Sequence, residues 1–204
     1  MLKVLINESD VMFRRGMYYF LSDFFYQWFN RHVEFFTDYT PENIAHADVI
    51  ILSLCNGERY TCFPELRLRQ KGIIIGLVDE KASSERSPFC FADIVYIMRR
   101  ESLNEITRKL TVAWRAWLAG EGFSQYITCF GCKLIKITPQ QRKILASLHV
   151  KHSVKDVAEN MCVNYKTISA HKYIVMRKFR LKNDYDLFHF LDMLHNKNIT
   201  RIFL

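Results

Sequence analysis

Residues 153–179 read SVKDVAENMCVNYKTISAHKYIVMRKF, and they hold two helix starts with a short turn between them. Ser153-Val154-Lys155-Asp156 opens the first helix, which turns Val157, Ala158 and Met161 inward. Cys162-Val163-Asn164 is the turn, and Asn164 has the short polar side chain that caps a helix amino terminus. In the second helix Ile168, His171, Val175 and Phe179 recur every three to four residues and form an inner stripe. Lys166, Ser169, Ala170, Tyr173 and Arg177 form an outer stripe at the same spacing. The outer residues are small near the helix start and basic or hydrogen-bonding further on. A helix that enters the DNA major groove needs this gradient, because only compact side chains let its backbone approach base edges.

Working outward, Thr138-Pro139-Gln140-Gln141 predicts another helix start: an N-cap threonine, a proline at the first helical position and a glutamine at the capping-box position. That helix should bury Ile144, Leu145 and Leu148. A fourth runs from Asp184 to Asn196, with Leu187, Phe190, Leu191 and Leu194 expected to divide between core and a dimer contact. The run from Ile137 to about Leu194 closely resembles the DNA-binding domain of LuxR/FixJ-type regulators. The match rests on Ile137-Thr138-Pro139, Arg142, Ile144-Leu145, Ser153, Lys155 to Glu159, Lys166-Thr167-Ile168, His171 and Met176 to Phe179. The resemblance implies that Ser169, Ala170 and Tyr173 read bases and that Lys166, Thr167, Lys172 and Arg177 hold phosphates of double-stranded DNA. Two departures bear on turn geometry: Lys151-His152 stands where the family has a glycine-containing turn, and Arg180 where a glycine commonly follows the helix. His171, on the inner stripe, is read as a hydrogen-bonded core histidine.

Charge follows the same division. The chain has 204 residues and a net charge of +8. Residues 133–204 carry 14 basic and 5 acidic side chains, a net of +9; the preceding residues carry 15 and 16, a net of −1. A basic module joined to a near-neutral one fits phosphate neutralisation and counterion release at one end of the molecule.

The amino-terminal region alternates short apolar runs with helical stripes. Val4-Leu5-Ile6, Val49 to Leu52, Ile73 to Ile75 and Ile94 to Met98 read as buried strands, the β-branched runs as strands buried on both faces, and His32 to Phe36 as a second strand in chain order. Phe13, Met17, Phe20, Leu21 and Phe24 form one helical stripe, and Ile106, Leu110, Ala113, Trp114 and Trp117 another, opened by a Ser102-to-Glu105 capping box. Five strands alternating with helices predict a doubly wound parallel α/β sheet. Residues 1–119 resemble the receiver domain of bacterial response regulators. Aligned on Phe13-Arg14 and Gly16, that family's acidic pair falls on Glu8 and Ser9, and its phosphoacceptor aspartate falls on Ser53. Arg99 or Arg100 stands near the family's lysine, and the hydroxyl expected at the end of the fourth strand is replaced near Leu77 and Val78. Aspartyl phosphorylation needs a carboxylate nucleophile and Mg²⁺ held by carboxylates, so a degenerate, phosphorylation-independent receiver is expected. Glu80 to Phe91 lacks a helical stripe and is read as a loop or distorted turn, with dimerisation as the use of this side of the domain.

The expected domains are thus 1–119, a linker at 120–136, and an all-α four-helix unit at 137–204. The linker contains Cys129-Phe130-Gly131-Cys132, but zinc needs four ligands and no second pair stands at a suitable spacing, so the CxxC is read as incidental. No metal, cofactor, small-molecule or catalytic site is read. Without a charge-free run of 18 apolar residues or a secretory leader, the chain is expected to be cytosolic, without membrane contact, and its six cysteines reduced. The reading is a DNA-binding transcription regulator, a homodimer or a heterodimer with another LuxR-type regulator. Thr167 to Lys172 is similar to auxiliary regulators of fimbriae, capsule or related surface structures in enteric bacteria. The alternative is an antagonist that sequesters a partner regulator without binding DNA.

Overall fold

The computed structural model describes residues 1–80, 88–120, 132, 135–150 and 153–196. The chain divides into two compact units: Met1–Leu54 with Cys62–Cys132, and Lys133–Leu204 with Cys55–Thr61.

In the first unit the strands are β1 (Leu2–Asn7), β2 (Val33–Phe36), β3 (Val49–Ser53), β4 (Ile73–Val78) and β5 (Ile94–Met98). All pair in parallel, in the order β2-β1-β3-β4-β5, the doubly wound arrangement expected from the apolar runs. Side chains alternate between the two faces of the sheet. Val4 and Ile6, Val49 and Ile51, and Ile73, Ile75 and Leu77 join one core with α1 (Val11–Phe29) and α3 (Leu103–Leu118). Helix α1 contributes Met17, Leu21, Phe24 and Phe25, and α3 contributes Ile106, Leu110 and Trp114. Phe25 meets Trp114 edge-on at 5.0 Å between ring centroids, a geometry that adds to simple area burial. The short α2 (Pro41–His46) follows β2, started by Thr40, whose hydroxyl accepts from the Asn43 N–H.

The alternation of strand and helix fails in two places. Between β3 and β4 the chain forms only 3₁₀ turns, Glu58–Tyr60 and Pro64–Leu68, where a helix was expected. Gly57 at φ +94° and Pro64 punctuate the segment, and each disfavours a continuous α-helix. Between β4 and β5 the expected loop lies partly outside the described residues, at 81–87; its remainder ends in one 3₁₀ turn, Phe89–Phe91. These two connections brace each other. Phe63 packs on Phe91, with ring centroids 5.1 Å apart, and the Phe63 N–H donates to Cys90 Sγ at 3.4 Å. Arg69, wholly buried at its side chain, forms an ion pair with Asp93. Burial pushes the Arg69 guanidinium below its ordinary pKa, while the charge of and hydrogen bond to Asp93 pull the other way. Gly72, at φ +83°, turns the chain into β4 where an added Cβ would lie 2.1 Å from the Asp48 carbonyl oxygen.

The second unit contains α4 (Pro139–His149), α5 (Val154–Asn160), α6 (Tyr165–Phe179) and α7 (Asp184–Asn196). Both predicted helix starts are capping boxes: Thr138 with Gln141, and Ser153 with Asp156. Ile144, Leu148, Val157, Ala158 and Ile168 form a core between α4, α5 and α6. On α7, Leu187, Phe190, Leu191 and Leu194 are all fully buried, so none of them is left over for the dimer contact expected of some. The Lys151-His152 turn and Cys129 lie outside the described residues, as does most of the 120–136 linker.

Candidate nucleic-acid interface

Helix α6 is set at both ends. Asn164 caps it by accepting from the Lys166 N–H at 2.8 Å. The preceding turn places Cys162 at φ +53°, a left-handed conformation that most L-residues adopt at a penalty. At the other end Arg180 adopts φ +57° without being glycine, and the Leu181 N–H closes back on the Met176 carbonyl at 2.8 Å. The departure at Arg180 therefore leaves the helix end intact. Lys178 donates to the Lys136 carbonyl at 2.7 Å, which ties the end of α6 to the approach to α4.

Ile168, Lys172, Val175, Met176 and Phe179 are the buried residues of α6. Lys166, Thr167, Ala170, Tyr173 and Arg177 are exposed, and Ser169 is half-buried. Six of the seven residues assigned to DNA thus lie outside the core, with Lys166, Ala170, Tyr173 and Arg177 along one exposed row. Lys172 does not join them. Only 7% exposed, it donates to both carboxylate oxygens of Asp184, at 2.8 and 2.9 Å. A buried ammonium held by its own carboxylate is not presented to a phosphate, so the role assigned to Lys172 is corrected to a structural one. The signal was available: Lys172 lies four residues after Ile168 and three before Val175, on the inner stripe. His171 is half-buried and its Nδ1 finds no hydrogen-bond partner among the described residues, contrary to the hydrogen-bonded core histidine expected. Tyr165, 52% exposed on the first turn of α6, was not singled out in the sequence.

In the first unit, Ser53 and Glu8, the positions the resemblance aligns with a phosphorylation pocket, meet at Arg99. Ser53 ends β3, and Arg99 follows β5, its N–H bonded to the Val78 carbonyl at 2.9 Å. The Arg99 guanidinium donates to Ser53 Oγ at 2.5 Å, pairs with Glu8 Oε2 at 2.5 Å and approaches Asp79 Oδ1 at 3.4 Å. The carbon end of the guanidinium lies 4.8 Å from the centre of the Phe13 ring. Glu8 is buried, its other oxygen accepting from the Asp10 N–H at 2.8 Å, while Ser9 is exposed. Of Arg99 and Arg100, it is Arg99 that occupies the pocket; Arg100 is exposed. A fixed protein cation therefore stands among the residues aligned with an acidic, metal-holding pocket.

A capped helix-turn-helix with a compact, basic exposed row thus stands in a chain that also carries a five-stranded, doubly wound parallel sheet. Residues 136–191 match the model of the family described as bacterial regulatory proteins, luxR family, and this stretch is a LuxR-type helix-turn-helix domain. The whole chain is similar in fold to RcsB from Salmonella enterica serovar Typhimurium bound to promoter P1flhDC in the presence of the phosphomimetic BeF3⁻. The identity is 18%, the TM-score 0.58, and the match covers 93% of this chain and 97% of that one. It is also similar to a structure of two RcsB dimers bound to two parallel DNAs, with 18% identity, a TM-score of 0.55 and coverage of 94% and 98%. A third, RcsB from the same Salmonella bound to promoter rprA, has 19% identity, a TM-score of 0.51 and coverage of 94% and 98%. At these identities the likeness is one of fold. No curated protein sequence matches the chain. Among the described residues, no helix is long and apolar enough to cross a membrane.

Proposed function

We propose that this chain regulates transcription by binding double-stranded DNA through the exposed row of α6, and that it does so without aspartyl phosphorylation. The observation that carries the DNA assignment is the row itself: Lys166, Ala170, Tyr173 and Arg177 outward on a helix capped for the major groove, within the LuxR-type match. Ser169, Ala170 and Tyr173 read bases; Lys166, Thr167 and Arg177 hold phosphates. Phosphorylation independence follows from Ser53, which has no carboxylate, and from Arg99, whose guanidinium takes the place of a metal ion beside Glu8. The RcsB dimers on DNA favour a dimeric active form here, either of two copies or with another LuxR-type regulator. The likeness of Thr167 to Lys172 to auxiliary regulators extends the proposal to genes for fimbriae or other surface structures.

Genome-wide mapping of bound DNA supplies the fragments for a direct test. Binding of the chain, alone and mixed with candidate partner regulators, is then measured over a range of salt. Arg177→Ala should weaken all duplexes alike and reduce the log–log salt slope by about 0.9. Tyr173→Ala and Ser169→Ala should change which sequence is preferred, by about 1–3 kcal/mol per base position. If no fragment is retained in either mixture, the DNA-binding reading fails in favour of an antagonist that sequesters its partner. Incubation with acetyl phosphate and Mg²⁺ should add no phosphoryl mass, and a gain of one phosphoryl group would end the claim of independence.

A further inference from the structure

Three cysteines that the sequence keeps far apart come together in the first unit. The thiol sulfurs of Cys62, Cys90 and Cys132 all lie within 4.8 Å of one another. Cys62 stands in the connection between β3 and β4, Cys90 in the 3₁₀ turn between β4 and β5, and Cys132 is 42 residues beyond Cys90. The cluster is not a packing accident of one helix or one hairpin, because three separate segments supply it. Cys90 is fully buried, Cys62 and Cys132 half-buried.

Distances discriminate between the uses of such a cluster. Cys132 Sγ and Cys90 Sγ are 3.9 Å apart, almost twice the sulfur–sulfur bond length of about 2.05 Å in a disulfide. Sulfurs tetrahedrally placed about 2.3 Å from a zinc ion stand about 3.8 Å from one another, close to the 3.9 Å between Cys90 and Cys132, with Cys62 within 4.8 Å of both. The Phe63 N–H directed at Cys90 Sγ is the kind of outer hydrogen bond that stabilises a metal-bound thiolate.

We propose that Cys62, Cys90 and Cys132 form a structural zinc site. Soft thiolates in a tetrahedral arrangement select Zn²⁺ over the hard divalent cations. On binding, each thiol releases its proton to the buffer as its sulfur–zinc bond forms, and a water molecule supplies the fourth ligand. Cys62 and Cys90 lie in the two connections whose described residues hold 3₁₀ turns in place of α-helix. With 3₁₀ turns in place of covering helices, the two connections have little regular structure to fix them, and a metal clip is a known substitute for missing core in small structures.

The test uses the full chain, purified under reducing conditions without chelator, loaded with equimolar zinc and desalted. Elemental analysis should find about one zinc per chain, released on titration with a mercurial that caps thiols. Cobalt in place of zinc should give the intense visible bands of a tetrahedral thiolate site, a readout on the unmodified chain that does not depend on a variant folding. Cys90→Ser and Cys62→Ser should lose the ion, whereas Cys162→Ser, at an exposed cysteine outside the cluster, should retain it. A chain that holds less than about a tenth of an equivalent of zinc after loading overturns the proposal. So does an unreduced chain two hydrogens lighter, in which a disulfide has consumed two of the three thiols.

Discussion

The two units of this chain have kept different things. In the helical unit residues 136–191 match the LuxR-type family model, with departures confined to turn positions such as Arg180. In the receiver-like unit the sheet has the expected order, while the described residues of two connections hold 3₁₀ turns in place of α-helix. A fold survives on its buried apolar pattern, which many sequences satisfy. A phosphorylation site needs a few carboxylates at fixed places, and at the positions the resemblance aligns with it Ser53, Glu8 and Arg99 form a closed hydrogen-bonded ion-pair cluster.

The sharpest way to break this contrast is at Arg99. Arg99→Ala leaves Glu8 buried without its cation and should cost the first unit about 3 kcal/mol in chemical denaturation, with DNA affinity of the surviving folded chain unchanged. A variant as stable as the parent would mean that the cluster contributes nothing. Next in size, Lys172→Ala should cost the helical unit about 1–2 kcal/mol and leave the salt slope of DNA binding intact, the opposite of Arg177→Ala. A reduced slope for Lys172→Ala would return it to the phosphate contacts. Smaller again, Cys162→Gly should raise the melting free energy of the helical unit by about 1 kcal/mol, since glycine meets φ +53° without a Cβ penalty. Smallest is Ser53→Asp, for which mass spectrometry after acetyl phosphate treatment should find no phosphoryl group. Restoring one carboxylate beside the Arg99 cation rebuilds an ion pair and not a metal site.

Much of this was readable in the chain. The five strands announced themselves because β-branched runs such as Val49–Leu52 and Ile73–Ile75 must be buried on both faces of a parallel sheet. The helix starts at Thr138 and Ser153 were legible because capping is local chemistry, settled within four residues. The exposed row of α6 followed from helical spacing alone. Lys172 was misplaced because its resemblance to a phosphate-binding position outweighed its own periodicity, and because its partner Asp184 lies on the next helix. The missing helix between β3 and β4 was overlooked because alternation of strand and helix was extended across a stretch whose Gly57 and Pro64 oppose it. The cysteine cluster had no sequence signature at all. Cys62 and Cys132 are 70 positions apart, and only the folded chain brings both beside Cys90. Searching for a second closely spaced pair therefore looked at the wrong variable.

That cluster also changes what the chain can tolerate between its fixed points. Pinned at Cys62, Cys90 and Cys132, the polypeptide is tied into two successive rings, of 28 and 42 residues. The entropy of closing a ring grows only with the logarithm of its length, about 0.6 kcal/mol for each doubling. A few residues inserted between the elements within either ring then alter stability weakly, while loss of Cys62 or Cys132 opens a ring and loss of Cys90 merges the two into one. Outside β4, β5 and α3, whose apolar residues are fixed by the core, the three cysteines are then the positions that cannot change.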